Sequence, residues 1–178
     1  MLTVYFDMDG VLTDLDGWLA KKFRVETVSL VNREARGELL RRAVEYNPAF
    51  PAELPQNRVL EFSAIMAWLK LRQVNVEILT SYGNASLGDC GAQAHVGKVQ
   101  WLTRHYLAEF QTGAISRFNG VQNCWQKQLY ATPRSLLVDD QPENCEQFRA
   151  AGGRAILYDL TRHDEFVTEF EKTIREMS

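Results

Sequence analysis

The sequence predicts an α/β fold: a Rossmann-like parallel sheet of about five strands, flanking helices and a small helical cap inserted after the first strand. Three observations carry this expectation. Short apolar runs without alternation recur along the chain, helix-like segments separate them, and a charged stretch with no strand signal follows the first run. Strands covered on both faces read as continuous apolar runs, and their alternation with helices marks a parallel sheet.

Leu2 to Phe6 (LTVYF) is the first such run, and Val74 to Thr80, Ser135 to Val138 and Ala155 to Tyr158 repeat its character. Ala114 to Phe118 is a weaker fifth candidate. Helical spacing marks Arg58 to Arg72, Val96 to Glu109 and Glu143 to Ala151, the last stopped by Gly152 and Gly153. Phe166, Phe170 and Ile174 predict a closing amphipathic helix between His163 and Met177. From Gly17 to about Tyr46 the chain is helical and charged, and it ends in the cluster Pro48, Pro51 and Pro55. The expected division is therefore a core of residues 1–14 and 57–178 with a cap of residues 15–56.

At 178 residues the chain suits one buried core plus a modest insertion. A 46% hydrophobic and 24% charged composition is that of an ordinary globular protein, and no apolar run is long enough to span a bilayer. Strand and acidic motif start at once, leaving no space for a signal peptide, so a cytoplasmic location is expected. Cys90, Cys124 and Cys145 are odd in number and scattered, as reduced thiols would be. A net charge of −3 gives no overall basic footprint for a nucleic-acid backbone. The basic residues between Lys21 and Arg42 alternate with Glu26, Glu34 and Glu38 and read as a solvated helix face.

Three strand ends carry polar chemistry. Asp7-Met8-Asp9-Gly10-Val11-Leu12-Thr13-Asp14 leaves the first strand, so Asp7 and Asp9 can share a pocket at the carboxyl edge of the sheet, where open α/β sheets bind ligands. Crowded carboxylates of this kind call for a cation, although Asp and Gly are also ordinary turn residues. Val76 to Thr80 runs into Ser81-Tyr82-Gly83-Asn84, whose hydroxyls and backbone N–H groups can hold phosphate oxygens or cap the next helix. Leu136-Leu137-Val138 runs into Asp139-Asp140, where Asp139 can complete a hard-oxygen Mg²⁺ site with Asp7. Lys127, expected on a helix, can reach back to neutralise these acids. Gly91 to Lys98 ends in Gly-Lys, but it is one residue too long for a P-loop and lacks a following Ser or Thr. The three histidines have no HExxH spacing, and no GxSxG elbow occurs.

Taken together, DMDGVLTD, VEILTS, Lys127 and LLVDD stand in the order found in the haloacid dehalogenase superfamily, which the sequence resembles over most of its length. Within it, DMDGVLTDLDGWLAKKF, ILTS and KQLYATPRSLLVDDQPEN followed by AAGGRAILY resemble the deoxyribonucleotidase-like 5′-nucleotidases and small bacterial and phage phosphatases. The resemblance implies a Mg²⁺-dependent phosphatase with Asp7 as nucleophile. Asp9 would be general acid and base and give its backbone carbonyl to the metal; Asp139 would bind the metal directly and Asp140 through water. Thr80, with Ser81, would bind phosphoryl oxygens, and Lys127 would stabilise their charge. Leu15, Trp18 and the Tyr82 to Asn84 turn are expected near the leaving group, with Trp18 either stacking on a base or packing the cap together with Leu19 and Phe23. The expected substrate is a small phosphorylated molecule, foremost a nucleoside or deoxynucleoside monophosphate. A phosphatase of nucleic-acid ends and a non-turnover binding protein are the alternatives, the latter opposed by the intact Asp7, Asp9 and Asp139.

Overall fold

The structure is a computed structural model that describes residues 1–26, 33–83 and 89–178. Five strands, β1 (Thr3–Phe6), β2 (Asn75–Ser81), β3 (Arg117–Val121), β4 (Ser135–Asp139) and β5 (Arg154–Leu157), form one sheet in the order β3-β2-β1-β4-β5. All neighbours are parallel. The α/β class and the strand count are as expected, with β1 at the centre. Strand β3 begins at Arg117, three residues beyond the predicted Ala114, because Ala114 and Ile115 are spent as buried core contacts before the ladder starts.

Alternate residues of each strand serve different layers. Val4 and Phe6 of β1, Val76 and Ile78 of β2, and Leu136 and Val138 of β4 enter the larger core, packed by helices α3 (Val59–Leu71), α4 (Asp89–Thr112) and α6 (His163–Met177). Phe62 lies edge-on to Phe6 with centroids 5.7 Å apart, and Phe166 and Phe170 extend this aromatic seam. On the opposite face Tyr5, Leu79 and Leu137 meet Phe148 of helix α5 (Pro142–Ala150). Crossovers through α3 and α4 on one face and α5 on the other are what right-handed β-α-β connections produce when the chain works outward from β1 and then returns to its other side. That reversal falls between β1 and β4, so a crevice opens there at the strand ends.

Helices α1 (Leu15–Phe23) and α2 (Arg33–Tyr46) lie between β1 and α3, followed by a 3-10 turn at Phe50–Glu53. The Asp14 side chain caps α1 by accepting from the Gly17 N–H at 2.9 Å. A Cβ on Gly17 would come within 2.1 Å of the same carboxylate, so glycine lets the cap close. The insertion leaves and returns through one narrow neck. There Asp14 N–H donates to Pro55 O, Asn57 N–H to Leu12 O, and the Asn57 side chain to Val11 O, at 3.0, 2.9 and 3.0 Å.

Helix α4 begins at Asp89, seven residues before the expected Val96, so the Gly91 to Lys98 stretch lies within its first half. Its contact with the insertion is close: a Cβ on Gly97 would lie 2.7 Å from Ala49 O, and Trp101 Nε1 donates to Leu54 O at 2.7 Å. Trp101 is fully buried, and it ties α4 to the returning chain by both packing and a hydrogen bond. Trp101→Ala should therefore lower unfolding free energy by about 3–5 kcal/mol. Urea denaturation of both proteins measures this, and a loss below about 1 kcal/mol would show that the region repacks around the vacancy.

Candidate active site

Register alone carries three acidic and hydroxyl side chains to one edge. Phe6 pairs with Ile78 on one side and Val138 on the other, so Asp7, Thr80 and Asp139 all emerge at the carboxyl ends of adjacent strands. Asp7 is 5% exposed, and Thr80 and Asp139 are fully buried. Between them stands Lys127, itself 2% exposed, with Nζ 2.7 Å from Asp7 Oδ2 and 2.6 Å from Asp139 Oδ2. Lys127 belongs not to an α-helix but to a 3-10 turn, Cys124–Tyr130. A reciprocal capping box between Asn123 and Gln126 fixes the start of that turn and so aims the lysine inward.

Burial works against the charge on Lys127, but Asp139 and Asp7 outweigh it and hold the ammonium above its ordinary range. Asp139 is held further by Gln141 N–H and by Asn144 Nδ2, both 2.9 Å from Oδ1. These donors come from the start of α5, where backbone N–H groups and the helix dipole favour an anion. Even so, burial raises the Asp139 carboxyl above its usual value, and the nearby Asp7 charge adds to the rise.

Asp140 is pushed up to about 8, first by burial and then by the charges of Asp139 and Asp7. Oxygens of Asp7, Asp139 and Asp140 lie within 4.8 Å of one another, a cluster of hard donors suited to Mg²⁺. Gly10, with φ of 77°, makes the approach of Asp140 possible, since a Cβ there would sit 2.3 Å from the Asp140 carboxyl carbon.

Asp9 joins the group through a residue that sequence reasoning passed over. Lys98 of α4 is 2% exposed, and its Nζ donates to Asp9 Oδ2 at 2.6 Å and to Thr80 Oγ1 at 2.7 Å. Among the described residues Asp9 Oδ1 is buried with no hydrogen-bond partner. Arg36 of α2 was also missed: it is not on a solvated face but largely covered, donating to Asp16 at 2.7 Å and standing 3.7 Å from Asp140 Oδ2.

The remaining expected residues make contacts of their own. Ser81 Oγ donates to Gln122 O at 3.3 Å, and Tyr82 sits edge-on to His95 at 4.9 Å. Trp18 is half-buried and stacks on Phe50 at 5.0 Å, so its ring is engaged in packing the insertion. Asn84 lies outside the described residues. Cys90, Cys124 and Cys145 are all unpaired.

No protein-family model and no curated protein matches the chain. Among solved structures, a protein assigned as a beta-phosphoglucomutase from Thermotoga maritima is similar with a TM-score of 0.52 and 17% identity, over 89% of this chain and 88% of that one. CbbY from Rhodobacter sphaeroides, solved in complex with phosphate, is similar with a TM-score of 0.52 and 15% identity, over 92% and 89% of the two chains. At these identities the likeness is one of fold.

The raised Asp140 carboxyl has a measurable consequence. Between its ordinary value of 3.8 and about 8, the folded protein keeps a proton that the unfolded chain releases, so this contribution to stability falls as pH rises through that window. In metal-free buffer, wild type should lose stability relative to Asp140→Asn between about pH 5 and about pH 8. Urea midpoints of both proteins test this, and a constant difference would mean that Asp140 is ionised throughout.

Proposed function

With a fold of the haloacid dehalogenase type as premise, we propose that the protein is a Mg²⁺-dependent phosphomonoester hydrolase that works through an aspartyl-phosphate on Asp7. The observation that carries this reading is the buried lysine shared by Asp7 and Asp139 at the sheet switch point. Four acids crowd the same edge, and a carboxylate accepts a phosphoryl group only where its repulsion with phosphate is offset.

The donor set fits Mg²⁺: oxygens only, mutually within 4.8 Å, with Gly10 leaving space for Asp140. Asp7, Asp139 and Asp140 would hold the ion with the Asp9 carbonyl, and the bound ion would supply positive charge beside the phosphoryl oxygens. The chain's own residues would do the rest. An Asp7 oxygen attacks phosphorus as the bond to the leaving oxygen breaks, and Asp9 gives that oxygen its proton. Asp9 then takes a proton from water, whose oxygen attacks phosphorus, releases inorganic phosphate and restores Asp7. Lys127, cationic because of its two carboxylate partners, and the Thr80 and Ser81 hydroxyls bind the phosphoryl oxygens.

Nucleoside or deoxynucleoside monophosphates are the proposed substrates, on the strength of the sequence resemblance. Residues 15–56 are proposed as the cap that contacts the leaving group, with Trp18 and Tyr82 as candidate contacts; the reach of Arg36 to Asp140 supports this placement. No helix among the described residues is long and apolar enough to cross a membrane. The cytoplasm is the proposed location, supported by three unpaired cysteines.

Hydrolysis should require Mg²⁺ and stop on chelation. Asp7→Asn should abolish it and Asp9→Asn should lower it at least about a hundredfold. Near-normal turnover by purified Asp7→Asn would exclude covalent catalysis on that residue. A panel of nucleotides, phosphorylated metabolites and end-phosphorylated oligonucleotides assigns the substrate class, and preference for the oligonucleotides would replace the nucleotide proposal. Trp18→Ala should change the ranking of nucleotides more than kcat/KM for p-nitrophenyl phosphate; equal losses would make Trp18 purely a packing residue.

A further inference from the structure

Lys98 contributes to none of the four sequence elements of the resemblance, yet it is one of two lysines buried at the strand ends. A lysine at 2% exposure must be paired, and Lys98 is paired with the two groups assigned to proton transfer and phosphoryl binding, Asp9 and Thr80. Its position is set by the backbone beneath it. Gly97 packs so closely on Ala49 O that a Cβ there would lie 2.7 Å from it, and Trp101, one turn later, is bonded to Leu54 O.

From this geometry we infer that Lys98 is a positioning residue that selects which oxygen of Asp9 moves protons. The inference rests on the phosphatase reading above. Its ammonium occupies Asp9 Oδ2, and Oδ1 is left buried without a partner among the described residues. Oδ1 is then the oxygen that hands its proton to the leaving group as the P–O bond breaks, and that takes a proton from water in the second step. The same ammonium also fills a lone pair of Thr80 Oγ1. A hydroxyl that already accepts has its hydrogen free to donate, and donation is what a phosphoryl oxygen requires. One cation thus orients the Asp9 carboxylate, in the turn after β1, and the Thr80 hydroxyl of β2.

The role separates from a structural one through the leaving group. An alkoxide needs the Asp9 proton to depart, whereas p-nitrophenolate does not, and hydrolysis of the aspartyl-phosphate needs Asp9 as base in both cases. In Lys98→Met, kcat for a nucleoside monophosphate should fall at least about a hundredfold with KM nearly unchanged. With p-nitrophenyl phosphate the variant should release a burst of p-nitrophenol close to one equivalent of enzyme, followed by slow turnover and accumulation of phosphorylated protein. Unchanged kcat on both esters would overturn the inference. So would a rise in KM alone, which marks a ground-state phosphate contact, or equal losses on both without a burst, which marks an effect on phosphoryl transfer itself. If Lys98→Met does not fold, Lys98→Gln, whose amide can still donate to one partner, is measured in the same way. Failure of both to fold would make Lys98 structural. A wild type that hydrolyses neither ester overturns the phosphatase reading, and this inference with it.

Discussion

Repulsion among carboxylates at the end of a parallel sheet is the constraint around which the molecule is arranged. Asp7, Asp139 and Asp140 present oxygens within 4.8 Å of one another. Two unit charges at such a distance repel by about 3 kcal/mol at an effective dielectric of about 20. The fold answers with a buried cation for the pair nearest the sheet, donors from the start of α5 for Asp139, and a covered arginine from the insertion beside Asp140. Burial first, and then the part of the repulsion left over, raise the Asp139 and Asp140 carboxyls above their ordinary range. Under the reading proposed above, a divalent cation would relieve part of this cost.

Neutralising groups arrive from segments distant in sequence, and this explains the shape of the surrounding structure. Lys127 needs a turn short enough to fit between β3 and β4, and the 3-10 geometry with its capping box provides one. Lys98 needs a helix pressed against the carboxyl edge of β2, and the glycine and tryptophan contacts of α4 with the returning chain hold it there. Packing and electrostatics therefore act on the same elements: loosening α4 would also release a charge.

Much of this was legible in the residues alone. The apolar runs marked β1, β2, β4 and β5, whereas β3, with Arg117, Asn119 and Gly120 in it, lacks an unbroken hydrophobic signature and overlaps the expected Ala114 to Phe118 run only at Arg117 and Phe118. Asp7, Thr80 and Asp139 were legible because each directly follows such a run, so register brings them together without further information. Lys127 needed only the order of motifs. Lys98 was hidden behind a failed match to a phosphate loop, yet a signal was present: Ala94, Trp101 and Leu102 place it at helical spacing within the apolar stripe of α4. A charge in such a stripe is committed to a buried partner. Arg36 left no comparable trace, since an arginine among alternating charges reads as solvated until the fold brings Asp140 to it. Trp18 was ambiguous for the same reason, because its stacking partner Phe50 lies across an intervening helix.

The neck at Val11 to Asp14 and Pro55 to Asn57 bears on how such a protein can diversify. Because the chain departs and returns across a few backbone hydrogen bonds, the ends of the insertion are already joined, and lengthening what lies between them adds little loop-closure entropy. The sheet need not register such a change. What a replacement would have to preserve is the inward apolar set of Leu15, Leu19, Leu39 and Phe50, which shares the main core. Descendants of this chain could thus exchange the segment between Asp14 and Asn57 as a cassette, while the acidic cluster at the strand ends is inherited intact.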